Sequence, residues 1–383
     1  MSDINFSRNT KLFLGKGSDV WEVPIMDGYS FSQATNTSEI TLNEMAKVVG
    51  SVETSRRGRA MFTDSLAPAE WSFASYVRPN GVTTIDEALW ANFIADNTYT
   101  SGTATWAKGV SRTGGFTSFD FEDSNVTTLG TFDLYFVLGG CGTANTNATP
   151  TTKGTYDFTG LTTYKLPASV VNNCTIDFDI EGIAMITWGG FSGTIVEEAD
   201  FQVTDAIRVG VDSTSNFIRN RLTTLDVQAA DTTAFPGLTA TPGKYLLTLT
   251  GGSITFENNI SYLIPEELCK VNKPIEHVTG TRTISGNFTC YLDQSEGGTE
   301  DLFEDMTSTA ALGKVRNSFD LLFKVGGAAG TNRPNMELSF PKAHLEIPTH
   351  SLEDVISVDV NFHAHGTDIS SADEAVITYK PAT

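Results

Sequence analysis

Basic residues are scarce in this chain. Its 383 residues hold 25 lysines and arginines against 46 aspartates and glutamates, a formal net charge of −21. A protein that grips DNA through its phosphates needs a cationic surface, so binding of that kind is excluded as a main role. Such acidity instead favours solubility and mutual repulsion. Cysteine is also rare. Cys141, Cys174, Cys269 and Cys290 show no CxxC spacing, so no zinc ribbon is expected and the thiols are read as reduced. No apolar run approaches the ~20 residues that a membrane-spanning helix needs. Met1-Ser2-Asp3-Ile4-Asn5 is not a basic region leading into an apolar stretch, so no secretory signal is expected. Triplets such as Asn125-Val126-Thr127 and Asn147-Ala148-Thr149 are therefore read as coincidences in a threonine-rich chain.

Catalytic patterns are absent too. The five histidines, His277, His344, His350, His363 and His365, lie in no HExxH or triad-like context. Alternation would put His363 and His365 on one strand face. With no third ligand near in sequence, that pair is read as solvent or interface. No glycine-rich phosphate-binding motif occurs. The acidic group Asp293, Glu296, Glu300, Asp301, Glu304 and Asp305 lacks the spacing of a calcium loop and reads as a turn entering a helix. The expectation is no enzyme, no metal and no cofactor.

What the chain does have is glycine (34), phenylalanine (24) and abundant threonine, serine and asparagine. That mixture suits β-structure with many turns. Trp71, Phe73, Ser75 and Val77 alternate with polar positions, as do Ile176, Phe178 and Ile180 with Asp177, Asp179 and Glu181. Val358, Val360, Phe362 and Ala364 alternate with Asp359, Asn361, His363 and His365. Each pattern gives a strand with one apolar and one polar face. Lys244 to Thr250, then Gly251-Gly252-Ser253, then Ile254-Thr255-Phe256 reads as a hairpin with a glycine turn, and Gly139-Gly140 as another turn. One helix is expected over Ile85 to Ile94, capped by Thr84 and Glu87, and a second over Glu300 to Met306.

The chain is also written twice. Asn5-Phe6-Ser7-Arg8-Asn9 returns as Asn216-Phe217-Ile218-Arg219-Asn220, and Glu44 to Val48 as Glu267 to Val271. Phe73-Ala74-Ser75-Tyr76 returns as Phe288-Thr289-Cys290-Tyr291, and Glu87-Ala88-Leu89-Trp90 as Glu300-Asp301-Leu302-Phe303. Phe132-Asp133-Leu134 with Gly139-Gly140 returns as Phe319-Asp320-Leu321 with Gly326-Gly327. The expected architecture is mainly β, with two tandem barrel or sandwich domains, 1–202 and 203–383, each with one flanking helix. The first copy is longer between the helix and Phe132. That insert, about 96–130, is expected to be a projecting hairpin, with Trp106, Phe119 and Phe121 offered to a neighbouring subunit. The lone basic run Arg56-Arg57-Gly58-Arg59 is expected to pair with acidic surface on a neighbour through Arg56, Arg57 and Arg59.

The run from Arg56 through Ala69-Glu70-Trp71-Ser72-Phe73-Ala74-Ser75-Tyr76-Val77-Arg78-Pro79, with Asn5 to Asn9 before it, resembles tail tube proteins of tailed bacteriophages. Asn216 to Leu225 and Gly252 to Asn259 resemble the same family. The resemblance implies a virion protein, made in the host cytoplasm, whose six domains form a ring and whose stacked rings form the tube that the genome crosses. Where the domain is doubled, it implies homotrimers with pseudo-six-fold symmetry, in contact with other tail proteins and with DNA that passes without specific binding. An acidic wall suits passage because it disfavours the ion pairing that holds DNA. Asp177, Asp179 and Glu181 are the candidate lumen-facing residues. Two alternatives stand beside this reading. One is another β-rich tail, baseplate or decoration protein. The other is a carbohydrate-binding β-sandwich, suggested by Trp21, Trp71, Trp90, Trp106 and Trp188.

Overall fold

A computed structural model describes residues 7–40, 46–49, 52–55, 60–80, 83–95, 99–122, 127–139, 153–208, 216–229, 244–269, 271–307, 318–330, 333–351 and 355–382, with backbone only for 46–49 and 52–55. The basic run 56–59 lies outside these residues.

Period-two alternation builds the fold. In the strand Thr163–Asp179, Cys174, Ile176 and Phe178 are buried while Asp177 and Asp179 are exposed, as a pleated strand with one covered face requires. Such strands join into one network of 21 strands. It is sandwich-like and contains no closed barrel among the described residues.

The two halves repeat one order of antiparallel pairing. In the first half the order is Asp19–Val23, Lys11–Lys16, Phe132–Val137, Thr163–Asp179, Met185–Ser192, Met61–Tyr76 and Ser30–Glu39. In the second it is Lys244–Leu246, Thr224–Ala229, Phe319–Val325, Asn335–Leu345, Ser357–Ala364, Thr283–Tyr291 and Leu249–Glu257. A short strand Thr349–Ser351 extends the Asn335–Leu345 position along Ser357–Ala364.

Among the described residues two strand ladders join the halves, besides the isolated bridges Ser65–Asn272 and Ile183–Arg219. Asn173 to Asp179 pairs antiparallel with Gly251 to Glu257. Thr117–Asp120 pairs with Val376–Lys380, which in turn pairs with Asn335–Leu345. One apolar cluster spans both halves. At its centre the Trp90 ring meets Trp188 at 4.9 Å and Phe256 at 5.5 Å, both edge-on.

Helix α1, Glu87–Ile94, is buried on every side, and Asp86, not Thr84, holds its N-cap position without a side-chain cap bond. Glu87 turns instead to Arg112, whose Nε donates over 3.0 Å. Helix α2, Thr299–Thr307, buries only Thr299, Leu302 and Met306. The difference comes from the 96–130 region, part of which covers α1. That region does not project. Its strands Tyr99–Thr100, Thr105–Trp106, Val110–Ser111 and Thr117–Asp120 fold back on the body.

The expected hairpin around Gly251-Gly252 is also corrected. Leu249–Glu257 is one continuous strand. Gly252 sits directly opposite Phe178, and a Cβ there would lie 2.7 Å from the Phe178 ring and 2.4 Å from the Asn287 carbonyl. The glycine serves close approach between strands, not a turn. Gly139 and Gly326 do occupy turns, with φ of 73° and 90°.

A smaller apolar cluster of Phe13, Val137, Tyr156, Phe158, Phe201, Val203 and Ala206 lies under strands Lys153–Asp157 and Gln202–Ile207. The second strand crosses the expected 202/203 division. Beside this cluster Glu22 is buried against Arg208 Nε at 2.5 Å, Lys11 Nζ at 2.7 Å and the Tyr156 hydroxyl. Burial alone would push its carboxyl up, but these three partners hold it below the usual value.

Candidate assembly face and edges

The internal pairing of Asn173–Asp179 with Gly251–Glu257 makes one wide sheet from parts of both halves. Its strands run in the order Ser30–Glu39, Met61–Tyr76, Met185–Ser192, Thr163–Asp179, Leu249–Glu257, Thr283–Tyr291 and Ser357–Ala364, with Thr349–Ser351 last. One face packs on the helices and core. Residues directly opposite each other in a ladder share a face, so the register gives the composition of the other face.

Four rungs cross it. The first is Ser30, Ser72, Gly189, Asn173, Glu257 and Thr283. The next is Ala74, Thr187, Thr175, Thr255, Ser285 and His363. The third is Tyr76, Met185, Asp177, Ser253, Asn287 and Asn361. The last is Asp179, Gly251, Thr289, Asp359 and Thr349. These rungs contain carboxylates, hydroxyls and amides, and no lysine or arginine. Short side chains tie them together. Thr289 Oγ1 donates to Asp359 Oδ1 over 2.6 Å, the Thr175 and Thr255 hydroxyls are 3.3 Å apart, and Ser253 N–H donates to Asn287 Oδ1 over 2.9 Å.

At the edge of this face Glu346 accepts from Asn361 Nδ2 over 2.9 Å and lies 3.6 Å from His363 Nε2. The Asn361 hydrogen bond, with the histidine beside it, holds the Glu346 carboxyl below its usual range.

Asp177 and Asp179 therefore stand on the polar face, as expected. Glu181 is exposed but lies past the end of the strand. Ile180, expected on the apolar side, is exposed for the same reason. The candidate lumen-facing set left out Asp359 and the serine and threonine ladder. The alternation around Val358 and Val360 was their signal.

Trp106, Phe119 and Phe121, expected at a subunit interface, are buried in the chain's own core. All five tryptophans are buried, which removes the stacking platform that suggested a carbohydrate binder. The acidic group near α2 is a turn and helix start: Asp293 accepts from Ser295, Asp301 from the Gly297 N–H and Asp305 from the Tyr245 hydroxyl. Among the described residues no group of three histidine, cysteine or acidic side chains is placed to hold a metal.

Both ends of the wide sheet are open. Among the described residues the Ser30–Glu39 strand pairs only with Met61–Tyr76, and Thr349–Ser351 only with Ser357–Ala364. No protein-family model matches the chain. It is 28% identical over 387 residues to the Tail tube protein pb6 of Escherichia phage T5, a match covering 97% of this chain and 75% of that protein. The chain is a homologue of a phage tail tube protein. A match over 97% of the chain takes in parts of both halves.

Proposed function

We propose that the chain is a structural virion protein that assembles into the tube of a phage tail, three chains to a ring, with the polar sheet face turned to the bore. The observation that carries this reading is the sheet itself: eight strands wide, built from two like halves and unpaired at both ends. Open edges of this kind invite pairing with another chain. Three copies joined edge to edge would place six similar lobes around one axis, which is the arrangement a cyclic assembly of doubled domains favours.

The bore-facing surface would be hydroxyls, amides and carboxylates. Such a wall offers DNA hydrogen-bonding groups to slide past and few cations to release counterions against. Exposed apolar residues include Met61 and Phe62 where the Met61–Tyr76 strand pairs with Ser38 and Glu39, Ile40 just past that pairing, and Leu263, Leu268 and Ile275 in the second half. Stacked rings would cover them. This reading includes no catalytic role.

Electron microscopy of the purified chain tests it. Hollow filaments or rings with three-fold symmetry and six lobes are expected. A protein that stays monomeric at high concentration, or forms solid aggregates only, would rule the reading out.

A further inference from the structure

The seam inside the chain is a template for the seam between chains. The strand Met61–Tyr76 corresponds to Thr283–Tyr291, and the rungs on either side of each give the residue correspondence. Ser72 faces Ser30 as Asn287 faces Ser253. Ser30 therefore occupies the place of Ser253, Phe31 that of Ile254 and Ser32 that of Thr255. On the other flank Thr187 faces Thr175 as Asp359 faces Thr349. Thr349 occupies the place of Thr175, His350 that of Ile176 and Ser351 that of Asp177. Inside the chain Thr175 pairs with Thr255, Ile176 with Ile254 and Asp177 with Ser253.

We propose that the Thr349–Ser351 edge of one chain pairs antiparallel with the Ser30–Glu39 edge of a second copy, Thr349 opposite Ser32 and Ser351 opposite Ser30, with His350 against Phe31 beneath. This rests on the ring reading above and specifies its contact. Three observations support it. The two edges are the open ends of one continuous sheet, so the pairing extends an interface the chain already makes. Ser32 and Thr349 are both exposed. The undersides also correspond: His350, exposed at the open edge, packs edge-on against Phe303 of α2 at 5.2 Å, and half-buried Phe31 packs against Phe136 at 4.7 Å, at the positions that Ile176 and Ile254 hold in the internal seam.

The two seams are unequal in one respect. The internal one packs isoleucine on isoleucine, whereas the external one would set a histidine on a phenylalanine. Less apolar area is buried there, so a ring would part between chains while each chain keeps its internal seam.

Disulfide trapping tests the register. In full-length protein with Cys141→Ser and Cys269→Ser, the pair Ser32→Cys and Thr349→Cys should oxidise to covalent dimers and trimers in assembled samples, because opposed strand residues meet the distance a disulfide needs. The control pair Thr37→Cys and Thr349→Cys should stay monomeric on a denaturing gel. Tubes that form normally but crosslink only in the control pair, or in neither, would overturn the register and leave the tube function standing. Wild-type protein that forms no rings would overturn both. A second variant needs no crosslink: His350→Ile, which copies the internal seam, should lower the concentration needed for ring formation by roughly three- to ten-fold. An unchanged or raised concentration would count against the proposed contact.

Discussion

The indole Nε1 of Trp90 donates to the hydroxyl of Tyr379 over 2.9 Å, joining the helix of the first half to the last strand of the second. The same hydroxyl donates to Asp86 Oδ2 over 2.7 Å. Both residues are fully buried, and the three groups form one polar chain inside the shared core.

Tyr379→Phe should therefore destabilise the chain by about 1–3 kcal/mol, because it leaves a buried acceptor and a buried N–H without their partner. The denaturation midpoint in urea, compared with wild type at one protein concentration, measures this. An unchanged midpoint would mean that the polar chain is not a fastening between the halves.

Asp86 should make stability fall as pH rises. Burial pushes its carboxyl up, against the opposing hydrogen bond from Tyr379. A raised folded value means that the native state holds the proton more tightly than the unfolded chain does. Its stabilising contribution is then complete below the ordinary aspartate value of 3.8 and is lost as pH climbs through the folded value. Asp86→Asn should flatten that decline, read as a smaller loss of melting temperature between mildly acidic and neutral buffer. A steeper decline in the variant would refute the assignment.

The strands were legible where alternation was uninterrupted. Trp71 to Val77, Cys174 to Asp179 and Val358 to Phe362 declare both faces in sequence, and each is a strand of the wide sheet. Leu249–Glu257 was not legible as one strand, because Gly251-Gly252 looks like a turn until the Phe178 ring across the ladder is known. The capping residue of α1 was misplaced by two positions because Glu87 is drawn to Arg112, which lies in the insert. Nothing local tells that the strand Thr117–Asp120 will pair with Val376–Lys380, at the far end of the chain. The acidic face was half visible: Asp177 and Asp179 stand in an obvious pattern, but their neighbours Ser253, Asn287 and Asn361 become neighbours only through register.

The destination of the insert changes what its removal should do. Phe119 and Phe121 are buried, Phe121 stacking on Phe256 at 5.8 Å and the Arg282 guanidinium lying over the Phe121 ring at 5.0 Å. Phe119→Ala should cost about 3–5 kcal/mol through the cavity it leaves. Deleting 96–130 should give insoluble or unfolded protein, since α1 loses its cover and Val376–Lys380 loses a partner. Circular dichroism and solubility after expression check this. A soluble, folded deletion variant that merely fails to form tubes would restore the view of this region as a hairpin offered to a neighbouring subunit.

Reversing charge on the polar face should convert a passive wall into a sticky one. Asp177 and Asp179 are exposed on a strand whose register is set by its buried residues. Asp177→Lys with Asp179→Lys should therefore change folding stability by no more than about 1 kcal/mol in total. If the face lines a bore, assembled tubes of the variant should present a ring of cations to anything inside. Short double-stranded DNA should then be retained by variant tubes at low salt and released as salt rises, with the steep dependence that phosphate neutralisation produces. Wild-type tubes should retain none under the same conditions. The decisive comparison uses DNA small enough to enter and DNA blocked at both ends by a bulky protein. Retention of the open fragment alone places the lysines inside, whereas equal retention of both would put this face on the outer wall.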